Sequence, residues 1–353
     1  MSSVNNPLNP NQLVDWTDAI VEIDNQYGFI NSQNIFTPYY TADKSIVFDR
    51  IQNTITLIPQ ADRGAFNSTY GKDQKVEQFA LAIPYFRHRD YLTVSDVQSK
   101  RRPGAADQQQ TVALAKADKI QDLRLAADQT LEWLQFSAMT GVTADANGNT
   151  IADMYTLFGL DKATDYTVDL ATEIATTDLD AKLALVEAKV VAGLKNGSSI
   201  QGIDLWLDPA LFDEIVAHPK FREVYQFYMN QGGQMLRDSL SQYYPWGVTR
   251  MFEHRGFRFL AYNPTFAVEN ASTGVVESKK VLGAGKGVAL PRGARDLFRG
   301  YFGPANKLDF ANRPGERMYS FEFPAVDNTS ITMEVEFSPL FFCTKPASII
   351  QLG

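Results

Sequence analysis

Between Asp107 and Gly141 the chain runs without a proline or an internal glycine, and no other stretch constrains the fold as strongly. Ile120, Leu123, Ala127, Leu131, Leu134 and Ala138 recur at three- and four-residue steps, which places them on one side of a helix. Asp122, Arg124, Asp128, Glu132 and Gln135 fall on its wetter sides. Asp107 can serve as N-cap, with Gln110 reaching back to complete a capping box. Gly141 can take the left-handed conformation that stops a helix. At 1.5 Å per residue the rod is roughly 50 Å long, longer than most globular helices. Periodicity alone describes a long core helix, so its purpose has to be read from what flanks it.

Upstream lies a segment built to be supported by something else. Ser45 to Pro59 is β-branched and partly alternating, with Ile51, Asn53 and Ile55 on one face and Thr54 and Thr56 on the other. Val76 to Val97 returns as a second strand interrupted by Pro84, and Gln60 to Lys75 between them is polar. Two long strands with a long polar tip describe a protruding hairpin, which is marginal in isolation and needs a partner. Before it, residues 1–11 form an irregular arm, and Leu13 to Tyr27 has a short amphipathic helical pattern. Phe29, Ile30, Ile35, Phe36, Tyr39 and Tyr40 follow without regular period, as expected of an extended segment laid across a surface, in particular another subunit's. Pro38 restricts that segment to edge pairing.

Downstream, Asn147-Gly148 marks a tight hairpin, and Thr150 to Leu160 continues as strand. Thr177 or Asp178 caps a helix from Leu179 to Leu194, with Leu183, Val186, Val190 and Leu194 on its apolar face. From Ile200 to Asn263 the pattern is α/β: a buried strand at Ile203 to Leu207, a helix opened by Asp208-Pro209, more helix at 221–229 and 235–243, and a strand at Gly256 to Tyr262. In a terminal strand Thr332, Glu334 and Glu336 alternate with Met333, Val335 and Phe337, the pattern of a half-buried strand. No fixed-period repeat occurs.

Signatures of chemistry are absent from the sequence. His88, His218 and His254 each stand alone, without a second ligand at metal-binding spacing. No nucleophile-elbow pattern occurs. Gly283-Ala284-Gly285-Lys286-Gly287 lacks the four-residue spacing and the Ser or Thr after the lysine that a phosphate loop requires, so it reads as a backbone turn. The lone Cys343 sits in an apolar run and reads as a small buried side chain. No metal, cofactor or enzymatic activity is expected. A formal net charge of −8 over 353 residues is the wrong sign for whole-surface binding of nucleic acid. Lys100-Arg101-Arg102 and the group Arg292, Arg295, Arg299, Arg313 and Arg317 are basic, but Asp296, Asp309 and Glu316 interleave the second group, which favours ion pairing between subunits. The polar start and the lack of a long apolar run predict no signal peptide and no membrane span, hence folding in a cytoplasm.

The order of arm, hairpin, long helix, α/β middle and closing strands resembles the major capsid protein of tailed bacteriophages, the lambda-type E family with the Hong-Kong-97-type fold. The matching stretches are Thr41-Ala42-Asp43-Lys44 entering the hairpin, its two strands, the Arg-Pro turn before the long helix, Ile203 to Pro209, Gly256 to Tyr262, Val281 to Gly303, and Arg317 to Leu352. The resemblance implies an α+β chain with an N-terminal arm (1–44), an E-loop hairpin (45–97) and a P-domain (98–200) with its spine helix at 107–141. An A-domain (201–290) and a return to the P-domain (291–353) follow. It also implies self-assembly into hexamers and pentamers of an icosahedral head around double-stranded DNA that is confined rather than bound by sequence. Implied partners are a portal protein, a separate scaffolding protein and a decoration protein, with the chain located in the virion after assembly in the host cytoplasm. Candidate contacts between subunits are Phe66, Tyr70, Lys72, Arg87, Arg89, Arg101, Arg102, Arg292, Arg295 and Arg299. Lys72, Lys75 and Asn67 supply residue types for a covalent crosslink without a diagnostic pattern, and none is expected. Two other readings stay open at this point: an encapsulin-like cellular compartment of the same fold, and a soluble α/β enzyme.

Overall fold

The computed structural model describes residues 28–53, 74–98, 111–170, 178–195, 199–231, 250–269, 273–325, 327 and 329–353. The expected helices at 13–27 and 235–243, most of the hairpin tip, the basic turn before the long helix and the caps at Asp107 and Gln110 lie outside them. The long helix is described from Val112 to Met139, a rod of about 42 Å. Thr111 is its cap, its side chain accepting from the Leu114 amide at 3.3 Å, where the sequence pointed to Asp107. Gly141 takes φ +83°, as expected of a helix stop.

Leu123, Ala127, Leu131, Leu134 and Ala138 of the expected apolar face are buried. Glu132 and Gln135, expected on the wet side, are buried too, and every residue from Leu131 to Met139 is enclosed. The single-stripe reading fails there because other parts of the chain wrap the C-terminal half of the helix. One is the N-terminal segment. Instead of lying extended on another subunit, it forms a short helix, Phe29–Gln33, and a strand, Thr37–Tyr40, and buries Phe29, Ile30 and Phe36 in its own chain's core. Pro38 does sit on an edge strand, paired in parallel with Phe298–Phe302, which in turn pairs with Pro339–Cys343.

The expected returning strand at 76–97 is two strands in two sheets. Gln74–Ala82 pairs with Ser45–Asn53 as the hairpin, while Phe86–Thr93 leaves it and pairs antiparallel with Ser330–Phe337, itself paired with Tyr319–Pro324. Ile83-Pro84-Tyr85 makes the break, since proline cannot donate to a ladder. Likewise the strand expected at 150–160 ends at Asp153, whose carboxylate accepts from the Tyr155 and Thr156 amides and starts a helical turn, Met154–Leu157. The Asn147-Gly148 hairpin forms as expected, joining Val142–Ala144 to Thr150–Asp153.

The middle of the chain builds a mixed six-stranded sheet in the order 167–168, 350–352, 287–292, 202–207, 257–261, 251–254. Gly202–Leu207 is central and buried along its apolar run, as its sequence required. Helix Leu179–Leu194, capped by Asp178, covers this sheet with Leu183, Val186, Val190 and Leu194. The cluster of Phe29, Phe136, Trp206 and Tyr262, with ring centroids 5.2–6.2 Å apart, joins the N-terminal segment, the long helix and this sheet.

Candidate subunit-contact surfaces

The hairpin has two unlike faces because residues directly opposite in an antiparallel pair share a side. Ile46, Phe48, Arg50, Glu77, Phe79 and Leu81 face inward. Phe48 stacks on Phe342 at 5.6 Å, Phe79 meets Phe158 at 5.6 Å, and Arg50 lies 4.5 Å over the Phe158 ring while donating to its carbonyl at 3.2 Å. The outer face, Ser45, Val47, Asp49 and Ile51 opposite Ala82, Ala80, Gln78 and Val76, is exposed throughout. Val47 (59%), Ile51 (54%) and Val76 (55%) remain open to solvent. Among the described residues the hairpin is thus seated on one side and bare on the other, with apolar β-branched residues on the bare side.

A second locus is the outer side of the sheet formed by 86–93, 330–337 and 319–324. Met333, Val335 and Phe337 point into the core shared with the long helix, but Glu334 and Glu336 are also buried, so this strand is not half-exposed as its alternation implied. Their carboxylates are covered by Lys307, whose Nζ lies 2.6 Å from Glu334 and 2.9 Å from Glu336, and by Arg89, which pairs with Glu334. Lys307 also rides 5.3 and 4.8 Å from the Phe321 and Phe323 ring centroids. Burial would push the Glu334 carboxyl up, but its hydrogen-bonding interaction with Glu336 and the bonds donated by Lys307 and Arg89 outweigh it and hold it at about 2. The Tyr85 phenol beside them is raised, by burial first and then by Glu336.

Among the described residues the candidate arginines do not gather into one site. Arg87 is exposed on strand 86–93, and its neighbour Arg89 is engaged by Glu334 within the chain. Arg292 reaches Glu253 at 3.1 Å and Asp204 at 3.7 Å across the six-stranded sheet. Arg299 lies 5.6 Å from the Tyr39 ring, against the edge strand. Arg295 projects outward beside Asp296 at 3.7 Å. Arg317 pairs with Asp128 of the long helix at 3.1 Å. Phe66, Tyr70, Lys72, Arg101 and Arg102 lie outside the described residues.

Buried polar groups that periodicity could not flag hold these pieces in place. Glu132 accepts from the Ile30 amide at 2.7 Å, the Asn31 amide at 3.0 Å and the Tyr262 hydroxyl at 2.7 Å. It thereby caps Phe29–Gln33, whose own N-cap is Gly28, from a hundred residues away. Burial raises its pKa, and those three donors oppose the rise. Asp208 accepts from Asn263 at 2.8 Å and from the Gly285 amide at 3.1 Å, so the glycine-rich turn is a structural clasp; Gly285 has φ +67°. Cys343 is buried, which pushes its thiol up to about 12. Among the described residues no cluster of three or more His, Cys, Asp or Glu could hold a metal, and no helix is long and apolar enough to cross a membrane.

Comparison with known proteins agrees with this architecture. The major capsid protein of Salmonella phage Felix O1 is 27% identical over 96% of this chain and 95% of its own length. That of Pseudomonas phage KPP10 is 26% identical over 92% of each. Among solved structures, the mature capsid of bacteriophage PhiM1 superposes with a TM-score of 0.54 at 14% identity, covering 95% of this chain and 90% of that one. The capsid of Myoviridae phage XM1 gives 0.52 at 9% identity, covering 97% and 96%. These likenesses establish the α+β, Hong-Kong-97-type capsid fold. The family described as phage major capsid protein E matches residues 12–353, and the chain belongs to it.

Proposed function

We propose that copies of this chain assemble as hexamers and pentamers into an icosahedral head that encloses double-stranded DNA. The observation that carries this reading is the hairpin 45–53/74–82, packed on one face by its own chain and, among the described residues, bare and apolar on the other. Its role is that of an E-loop resting on a neighbouring subunit, with the long helix as the spine of a P-domain (98–200) and the sheet around 202–207 in an A-domain (201–290). In the same scheme 1–44 is the N-terminal arm, anchored in its own chain's core by Phe29, Ile30 and Phe36, and 291–353 are the return to the P-domain. Each contact supplies only part of what association costs, at about 25 cal/mol per Å² of apolar surface. Many such contacts per subunit stabilise a closed shell through multivalency.

The net charge of −8 fits DNA that is confined rather than gripped. A scaffolding protein, a portal protein and a decoration protein complete the expected partners, and assembly takes place in the host cytoplasm. Electron microscopy of the expressed chain, alone and with a co-expressed scaffolding protein, tests the reading. Closed megadalton particles are expected; small oligomers alone under both conditions would overturn it.

A further inference from the structure

Helix Leu179–Leu194 is apolar on two opposite sides, and among the described residues only one of them is covered. Leu183, Val186, Val190 and Leu194 fill the core beneath the six-stranded sheet. Half a turn away, Ala181, Ala184, Leu185, Ala188, Val191 and Ala192 are all exposed, Leu185 at 49% and Val191 at 54%. At 3.6 residues per turn these six positions fall within an arc of roughly 120°. A surface helix ordinarily turns a polar back to water. Here the back is free of charge along its centre, with Glu187 at one border and Lys195 at the end.

The lysines at the other border leave it bare. Lys189 folds away to donate to the carbonyls of Asp165 at 2.8 Å and Thr167 at 3.2 Å, and Lys182 donates to that of Asp169. Gly193 fixes the helix in this pose: a Cβ there would stand 2.0 Å from the carbonyl oxygen of Ala347. The helix therefore cannot roll to hide its outer stripe without losing that backbone contact.

We infer that this outer stripe is a contact between neighbouring copies of this chain, an inference that rests on the shell reading above. The size of the stripe selects the occupant. A single helix face of this kind offers a few hundred Å² at most, well under the ~800 Å² per partner of a stable free-standing pair. A separate protein would have to hold on by that patch alone. A neighbouring copy is already held by its other contacts, so the effective concentration at the stripe is high and a weak apolar contact is occupied. The stripe carries none of the positive charge that DNA would demand. Alanines at four of the six positions let an apolar surface of the neighbour approach closely.

The test is a photo-crosslinking amino acid, benzoylphenylalanine, placed at Leu185 of the full-length chain, with a Leu185→Asp/Val191→Asp variant in parallel. Irradiated shells are expected to give a covalent pair of this chain that dissociated subunits do not give. The double variant is expected to keep its melting temperature within a few degrees, because both positions are exposed, while its shell yield falls by about tenfold or more. Crosslinks to a different protein, crosslinks within one chain to residues 232–249, or a folded double variant with normal shell yield would each overturn the inference. Should the double variant fail to fold, Leu185→Ser takes its place in the yield comparison. Wild-type chain that forms no shells would sink the shell reading itself, an outcome separate from normal shells made by the variant.

Discussion

The hydroxyl of Tyr262 donates to Oε1 of Glu132 at 2.7 Å, and both residues are buried. With the Ile30 and Asn31 amides on the same carboxylate, this one side chain ties the N-terminal segment, the long helix and the α/β sheet together. Glu132→Ala strands two buried donors and one half-buried donor, and a buried donor left unpaired costs about 1–3 kcal/mol. The expected loss is about 3 kcal/mol or more in urea unfolding of the subunit, whereas Tyr262→Phe costs about 1 kcal/mol. Equal effects of the two changes would contradict the central position of Glu132.

The Glu334 network sets a pH dependence. Its folded pKa, about 2, lies below the ordinary value of 4.5, so its contribution is fully present above about 4.5 and fades as pH falls toward 2. Lys307→Met removes the cation 2.6 Å from Glu334 and leaves two buried carboxylates facing each other, at an expected cost of about 3 kcal/mol at neutral pH. Unfolding midpoints measured from pH 7 down to pH 2 should show wild type and variant converging at the acid end. A constant gap would place the effect elsewhere.

Gly193→Ala inserts a methyl group where the Ala347 carbonyl oxygen stands 2.0 Å away. Both sides of that contact are backbone, so the helix must shift as a body, which costs about 1–3 kcal/mol. Thermal or urea denaturation reads the change, and a neutral result would mean that the close approach of the helix to Pro346–Ser348 is not needed for stability.

On the hairpin, Val47→Lys with Val76→Lys charges the bare face without touching the seated one. Subunit stability should stay within about 0.5 kcal/mol, while particle formation, followed by sedimentation and electron microscopy, should drop sharply. Shells of normal yield and stability would remove the outer face from the assembly scheme.

The elements written in local periodicity were legible in the sequence: helix 179–194 with its Asp178 cap, strand 202–207, the Asn147-Gly148 hairpin and the apolar face of the long helix. What periodicity could not convey was the partner. Glu132 and Gln135 read as wet because a wheel shows one helix at a time, and the wrapping N-terminal segment is a hundred residues away. Glu334 and Glu336 alternate like exposed residues, and only the three-dimensional placement of Lys307 and Arg89 explains their burial. Pro84 signalled an interruption, but nothing local said that the strand beyond it belongs to a different sheet. The arginines 292 and 299 were legible as a charged group, and their structural neighbours Glu253 and Tyr39 come from distant segments.

Strands 298–302 and 339–343 complete the sheet begun by Thr37–Tyr40, and Ile350–Leu352 bridges Gly287–Arg292 to 167–168. During synthesis, then, neither sheet can close until residues 339–352 have cleared the ribosome. The seat for the hairpin, which uses Phe342, is missing until the same moment. A chain cut short before Phe342 lacks the ring on which Phe48 stacks, so its hairpin has no complete seat.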